Sequence, residues 1–360
     1  VVRDRGASDI KARLVEAILA DLAAQARLTG PMALVSVFFG GGTPSLMDPE
    51  DVARILDTAR TLWTARADLE VTLEANPTDA EASRFAALAR AGVNRLSLGV
   101  QSLDDQALRA LGRNHDAAAA RRAASLARDI FPRLSIDLIH GLPGQDAAAW
   151  AGDLAAGLGL GPEHISAYEL TIETGTAFDR AVRRGFLNMP GEDARADLFA
   201  LTQEILSAAG FEAYEVSNHA RGQDARARHN LVYWRGEDYI GVGPGAHGRL
   251  ILNSARWALE TPRAISDYLR AAIDEGGAAT RDRLTPRDAA LERLLMGLRT
   301  VEGVRLAELT PLGISEAKIA ECQDLLEVRE GWLVATRQGR PVLDSIIANL
   351  VAGAPRDAET

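Results

Sequence analysis

Three consecutive glycines follow an apolar, β-rich run in "VFFGGGTPSLM", and glycine is the residue used where a backbone turns through positive φ or must approach a ligand closely. Gly40, Gly41, Gly42 and Thr43 are therefore the first candidates for a binding loop. The loop is not a Walker loop, because no Gly-Lys-Ser/Thr follows, and not a dinucleotide fingerprint, because the GxGxxG spacing is absent. Carboxylates stand further on at Glu74 in "LEANPTD" and Asp137 in "SIDLIHGLPG", and a guanidinium at Arg113 in "LGRNH". Each has a plain structural reading as well: a tight turn, a cap, a loop contact, a surface arginine. The run "RHNLVYWRGEDYIGVGPGAHG" gathers His229, Tyr233, Trp234 and His247; in the plain reading His229 and Asn230 satisfy buried backbone while the aromatics pack. Cys322 is the only cysteine, so the chain alone builds neither a disulfide framework nor a thiolate cage, and a reducing compartment fits.

Elements that position these residues alternate along the chain. Apolar runs at Leu34–Phe39, Leu69–Leu73, Arg95–Val100, Leu134–Ile139, Ile165–Leu170 and Ala213–Val216 are separated by helical periodicity at Ala53–Trp63, Ala80–Ala91, Ala117–Ile130, Ala147–Leu158 and Arg195–Ala209. That rhythm predicts an α/β fold of right-handed βα units around a parallel sheet. Each strand ends on a polar or glycine feature: Gly40–Thr43, Glu74 with Asn76, Gln101 with Ser102, Asp137, Glu169 with Thr171, then Glu215. A barrel brings such ends to one face, whereas an open sheet concentrates function at a switch point, so a partial (β/α) barrel is favoured over residues 1–218. A connecting segment over 219–282 and a winged-helix-like domain over 283–360 complete the expected organisation. The last comprises helices at Pro286–Leu298, Leu306–Thr310 and Ser315–Leu326, the third carrying Cys322, then a hairpin around Gly339 and a closing helix.

The 360 residues carry a formal charge of −10, which argues against a counterion-displacing grip on nucleic acid and against a DNA-binding regulator built on the winged helix. No apolar stretch is long enough to span a bilayer, and the N-terminus lacks the order of a signal peptide. The expected setting is cytoplasmic, or peripheral at the inner face of the membrane.

Six ordered motifs, "FFGGGTPSLM", "LEANPTD", "NRLSLGVQSLDDQALRALGRNH", "SIDLIHGLPGQ", "HISAYELTIETGT" and "HNLVYWRGEDYIGVGPGAHG", cover nearly the whole chain. Together they closely resemble the coproporphyrinogen-III-oxidase-like branch of the radical S-adenosylmethionine (SAM) enzymes, and within it the haem chaperones. The resemblance implies that Gly40, Gly41, Gly42 and Thr43 lie against the methionine part of SAM, so that a Cβ there would push the ligand away. It implies that Arg113 pairs with the methionine carboxylate, a contact suited to a guanidinium fork. Gln101 and Asp137 would bond the ribose hydroxyls, Glu74 would face the polar end of the cofactor, and Thr171 would add a backbone contact near adenine. The HNxxYW run at His229–Trp234 marks the haem-chaperone branch, with His229 as the possible ligand of haem iron and Tyr233 and Trp234 as flat apolar area for the macrocycle. His247 is a second imidazole candidate, while His140, His164 and His219 are expected to be structural.

One family feature is absent. The CxxxCxxC loop, whose thiolates hold a [4Fe–4S] cluster, lies in the family just before the helix that begins here near Ser8, which implies that this chain lacks the segment carrying it together with the first barrel strand. As given, the chain offers no metal ligand set for the cluster and is not expected to cleave SAM, and "ALVSVFF" becomes an open barrel edge. The expected function is haem binding and delivery to acceptor proteins, with SAM at the barrel mouth. The alternatives are an oxygen-independent coproporphyrinogen III oxidase and a cluster-less module that binds haem or SAM without redox chemistry.

Overall fold

The computed structural model describes residues 2–352. Val1 and residues 353–360, the outermost parts of the first and last expected segments, lie outside the described residues. Contacts divide the chain into two units, one formed by Phe38–Pro49 with Glu70–Ala227 and the other by the remaining residues.

Strands β1 (Ala33–Phe39), β2 (Thr64–Ala75), β3 (Arg95–Gln101), β4 (Arg133–His140), β5 (His164–Glu169), β6 (Glu212–Ala213) and β7 (Asn218–Ala220) form a curled half-barrel sheet in the order β1-β2-β3-β4-β5-β7-β6. The helices up to β6 are α1 (Val2–Thr29), α2 (Pro49–Leu62), α3 (Ala82–Arg90), α4 (Asp105–Ala110), α5 (Ala117–Ile130), α6 (Ala147–Gly159), α7 (Ala177–Arg183) and α8 (Glu192–Ala208). From β2 to β5 neighbouring strands are parallel, as the alternation with helices predicts. The sixth apolar run departs from expectation. Instead of one parallel strand at Ala213–Val216, the chain makes two short antiparallel pieces, β6 and β7, and Glu215 lies in the bend between them. There its carboxylate accepts the Ser217 N–H at 2.8 Å and also the Asn218 amide, a local turn that breaks the strand.

Side chains alternate across a strand, so β2 places Glu70, Thr72 and Glu74 on one face, and the register Thr72↔Arg95, Ser97↔Ser135 and Asp137↔Ser166 carries that face across β3, β4 and β5. The other face is apolar: Leu73, Leu96, Leu98, Ile136 and Leu138 are fully buried. Helices meet it through small residues, Ala120, Ala123, Ala124 and Ala127 on α5 and Gly157 on α6, where a Cβ would run into Leu138 at 2.9 Å. Asp116 and Asp146 start these two helices by accepting the N–H of Ala119 and Ala149 at 2.7 and 2.8 Å.

The second unit holds α9 (Arg228–Trp234), an antiparallel sheet of β8 (His247–Leu252), β9 (Ala255–Glu260) and β10 (Thr280–Arg283), and α10 (Ile265–Ile273). Its C-terminal module is α11 (Pro286–Gly297), β11 (Val304–Arg305), α12 (Glu316–Ala320), β12 (Leu326–Arg329), β13 (Trp332–Ala335) and α13 (Leu343–Val351), with the small sheet ordered β11-β13-β12. Helices followed by a three-stranded antiparallel sheet make this module winged-helix-like, as expected. Two details differ. The hairpin turns at Glu330 and Gly331, whose φ values of 49° and 83° suit a tight two-residue loop, and not around Gly339. The third helix ends at Ala320, so Cys322 sits buried in the following turn and not in a helix. No helix among the described residues is long and apolar enough to cross a membrane.

The histidines expected to be structural are buried in the first unit. His164 bridges Ser135 Oγ at 2.7 Å and Tyr214 OH at 2.8 Å, and His219 is likewise buried. The His140 ring packs on Trp150 with centroids 5.3 Å apart, and burial holds its imidazole down at about 4 against an ordinary 6.5. A depressed histidine contributes stability that is present above its unfolded value and lost as pH falls through its folded one. Acidification from pH 7 to 4 is thus expected to cost the wild type about 3 kcal/mol more folding stability than it costs His140→Leu. Urea unfolding of both proteins at the two pH values checks the difference.

Candidate functional site

The predicted residues Gly40, Gly41, Gly42, Thr43, Glu74, Gln101, Asp137 and Thr171 lie near or just beyond the C-terminal ends of β1 to β5, with Arg113 after α4. Gly41 and Gly42 adopt φ of 76° and 62°, a conformation that glycine takes without strain, and a Cβ on either would meet no protein atom within 4 Å. Gly40 is glycine for another reason: its Cβ would collide with the Phe38 ring. The turn chemistry that is the plain reading of the triplet is therefore real, and it leaves the space beside Gly41 and Gly42 open. The Gly41 N–H donates to Glu74 Oε2 at 3.2 Å, tying the loop to the end of β2. Beyond Thr43, Ser45 Oγ donates to Asp79 Oδ2 at 2.7 Å and Arg84 donates to the carbonyls of Ser45 and of Met47, the latter at 2.8 Å, so the loop is anchored on both arms.

Gln101 ends β3 at φ 70°, a left-handed conformation uncommon for a residue with a side chain. Its amide folds back over Gly99, where a Cβ would stand 3.0 Å from Nε2, and its Oε1 accepts from Arg113 Nη2 at 3.1 Å. Arg113 is itself held in place by the turn after α4, in which His115 Nε2 lies 3.0 Å from the Val100 carbonyl. Removal of the Arg113 guanidinium from bulk water lowers its pKa.

Asp137 lies on the same face of β4. Ser97 Oγ stands 3.2 and 3.1 Å from its two oxygens, and Ser166 bonds it from β5. Burial still pushes the Asp137 carboxyl above the ordinary range, against those hydrogen bonds. Glu74 is also raised, first by burial and further by the charge of Asp137, while the Gly41 N–H works the other way. Two buried carboxyls at one site favour a cationic ligand, and Arg113, hydrogen-bonded to Gln101, favours an anionic group. An α-amino acid end fits that pair of demands. Thr171 lies on an exposed stretch after β5. Ser97, Ser166 and Gly99 are site residues that the motifs did not single out; strand alternation from Asp137 and Gln101 is the signal that would have found them.

In the second unit the HNxxYW run is helix α9. His229 is 7% exposed, with its ring 6.2 Å from Tyr233, whose own ring packs edge-on against Tyr239 at 4.7 Å. The helix end is gripped from the C-terminal module. Arg293 Nη1 donates to the Trp234 carbonyl at 3.0 Å, Arg299 lies 4.9 Å over the Trp234 ring, and Arg235 forms a two-pronged pair with Glu302 at 2.8 and 2.6 Å. His247 is exposed at the start of β8.

This arrangement defines a radical SAM fold: residues 9–154 match the model of the Radical SAM superfamily and residues 284–342 that of the HemN C-terminal domain. The chain belongs to the radical SAM superfamily, in the family of the following relatives. Radical S-adenosyl methionine domain-containing protein 1, mitochondrial, of Bos taurus is 40% identical across 91% of this chain and 77% of its own length. Heme chaperone HemW of Mycobacterium tuberculosis is 36% identical across 91% of this chain and 83% of its own length. Among solved structures, coproporphyrinogen III oxidase (HemN) of Escherichia coli matches with a TM-score of 0.79 and 22% identity over 95% of this chain and 83% of that one, a likeness of fold. The family implies SAM and a [4Fe–4S] cluster; the one cysteine of this sequence, Cys322, is buried in the C-terminal module.

A left-handed Gln101 carries a local conformational cost. Gln101→Gly is expected to raise folding stability by about 1 kcal/mol, measured as a higher denaturant midpoint at unchanged slope.

Proposed function

We propose that this protein binds haem and delivers it to acceptor proteins, with SAM bound at the strand ends of the first unit. The observation that supports this most directly is the HNxxYW run, present in full and folded as a single helix, in a chain whose relatives include proteins named heme chaperone HemW. Tyr233 and Trp234 supply the apolar surface for the macrocycle, and His229 and His247 are the two imidazoles on offer in that unit. The setting is cytoplasmic or peripheral to a membrane.

For SAM, the methionine carboxylate meets Arg113, its ammonium lies toward Glu74 and the Gly40–Thr43 loop, and the ribose hydroxyls face Gln101 and Asp137, with Thr171 toward adenine. The positive charge of SAM offsets the effect of the Asp137 charge on Glu74. The cluster, when a family member holds one, supplies the electron that cleaves SAM. What Glu74, Gln101, Arg113 and Asp137 do in this reading is hold and orient the ligand.

S-adenosylhomocysteine carries the same methionine end and needs no cluster, so it probes the site alone. Arg113→Ala is expected to weaken its binding by about ten- to a hundredfold in equilibrium dialysis, the usual cost of a lost charge-assisted contact. For haem, the full chain is expected to develop a Soret band on titration whether or not SAM is present, and Tyr233→Ala to reduce affinity by about tenfold. A chain that takes up no haem would sink the reading. Decarboxylation of coproporphyrinogen III would instead assign it to the oxidase.

A further inference from the structure

The polar face of the first sheet holds a positive charge that takes no part in the contacts described so far. Arg95, on β3, is 1% exposed, and its Nε has no hydrogen-bond partner among the described residues. A guanidinium withdrawn from water in this way has to be offset by charges near it, even where it touches none of them. Register places those charges. Arg95 stands opposite Thr72 of β2 and Arg133 of β4, and Ser97, two residues on, continues the same face toward the strand ends.

Two carboxylates act on Arg95, and they are otherwise held differently. Glu70 has a cation in contact, Arg133 Nη1 at 2.8 Å. Asp137 is held by hydroxyls: its oxygens lie 3.2 and 3.1 Å from Ser97 Oγ, and Ser166 bonds it from β5. Among the described residues Arg95 is the one cation whose charge acts on Asp137. The other titratable groups of this region do not take that place. Arg133 is engaged with Glu70 and Glu163, Glu74 and Glu215 are themselves acids, Tyr214 OH lies 2.8 Å from His164 Nε2, and burial and the Asp137 charge keep the Tyr168 hydroxyl protonated.

An ionised carboxylate accepts from two hydroxyls at once, whereas a protonated one has turned part of that capacity into a donor. Burial pushes Asp137 toward the second form, and a positive charge beneath it pushes back.

We infer that Arg95 is a positioning residue for SAM: it is the counter-charge that presents Asp137 to the ribose as an acceptor of both hydroxyls, acting through Asp137 without touching the ligand. The inference rests on the SAM-binding reading given above. The probe is S-adenosylhomocysteine, measured with the full chain by equilibrium dialysis at neutral pH. Arg95→Met is expected to weaken its binding by about tenfold in the wild-type background and by less than about twofold in Asp137→Asn, whose amide has no charge to balance. Arg95→Lys, which keeps the charge in a different shape, is expected to bind within about threefold of the wild type. On acidification the affinity of Arg95→Met is expected to fall from a higher pH than that of the wild type, because a carboxyl without its counter-charge takes up a proton earlier. Glu74 is present in both proteins, so the difference between the two profiles reports Asp137.

An equal loss in the wild-type and Asp137→Asn backgrounds, or no loss at all in Arg95→Met, overturns the inference and leaves the SAM reading standing. Should Arg95→Met fail to fold, Arg95→Lys decides, and a loss as large as that expected of Arg95→Met overturns it. Failure of both variants to fold assigns Arg95 to the stability of the sheet and overturns it likewise. A wild type that takes up no S-adenosylhomocysteine removes the SAM reading itself.

Discussion

Polar side chains on one face of a parallel sheet have to be satisfied by one another, and in this protein a half-buried guanidinium joins three of the segments. Arg133, at the start of β4, pairs with Glu70 of β2 at 2.8 Å and with Glu163 before β5 at 2.7 Å, and donates to the Arg226 carbonyl at 3.1 Å. The Glu70 side chain has no solvent exposure, and the Arg133 guanidinium beside it and the nearby Arg95 charge offset the cost of burying a carboxylate there. The arrangement ties the N-terminal ends of the strands together in a fixed lateral order. With that base fixed, the opposite ends of the same strands can carry groups that are not mutually satisfied.

The upper end of the face differs in kind. Glu74 is held by a backbone N–H and Asp137 by two serines with the Arg95 charge nearby, and burial raises both carboxyls against those partners. Gln101 keeps an unfavourable φ in the same place.

Much of this was legible from the residues. Alternating apolar and helical segments located β2 to β5 and their helices, because each is long enough for its period to register. The polar strand ends drew attention to Glu74 and Asp137, which lie on the face that alternation assigns them, while the β3 register slips between Leu98 and Gln101. Shorter elements escaped. β6 and β7 are two and three residues long and are set by the Glu215 turn, a side-chain hydrogen bond that leaves no periodic trace. The β8–β10 sheet was hidden because glycines and aromatics in that stretch point equally to a loop. The reason for Gly40 also differs from expectation, since the Phe38 ring occupies the space that was assigned to a ligand. Contacts of that sort depend on where a side chain turns, which spacing does not encode. The likeness to a known family did carry the fold and the C-terminal module correctly, through motifs that no single strand or helix would have distinguished.

The grip on α9 has a bearing on how this architecture can be taken apart. Its seven residues are too few to hold a helix alone, and the last of them, Trp234, gives its carbonyl to Arg293 and its ring to Arg299, both from beyond residue 283. The boundary that sequence periodicity draws at that point is therefore not a line of independent folding. A proteolytic cut there would strand the HNxxYW helix without its anchors, and exchange of the winged-helix-like module between relatives would succeed only where the incoming segment brought arginines and a partner for Arg235 in the same register.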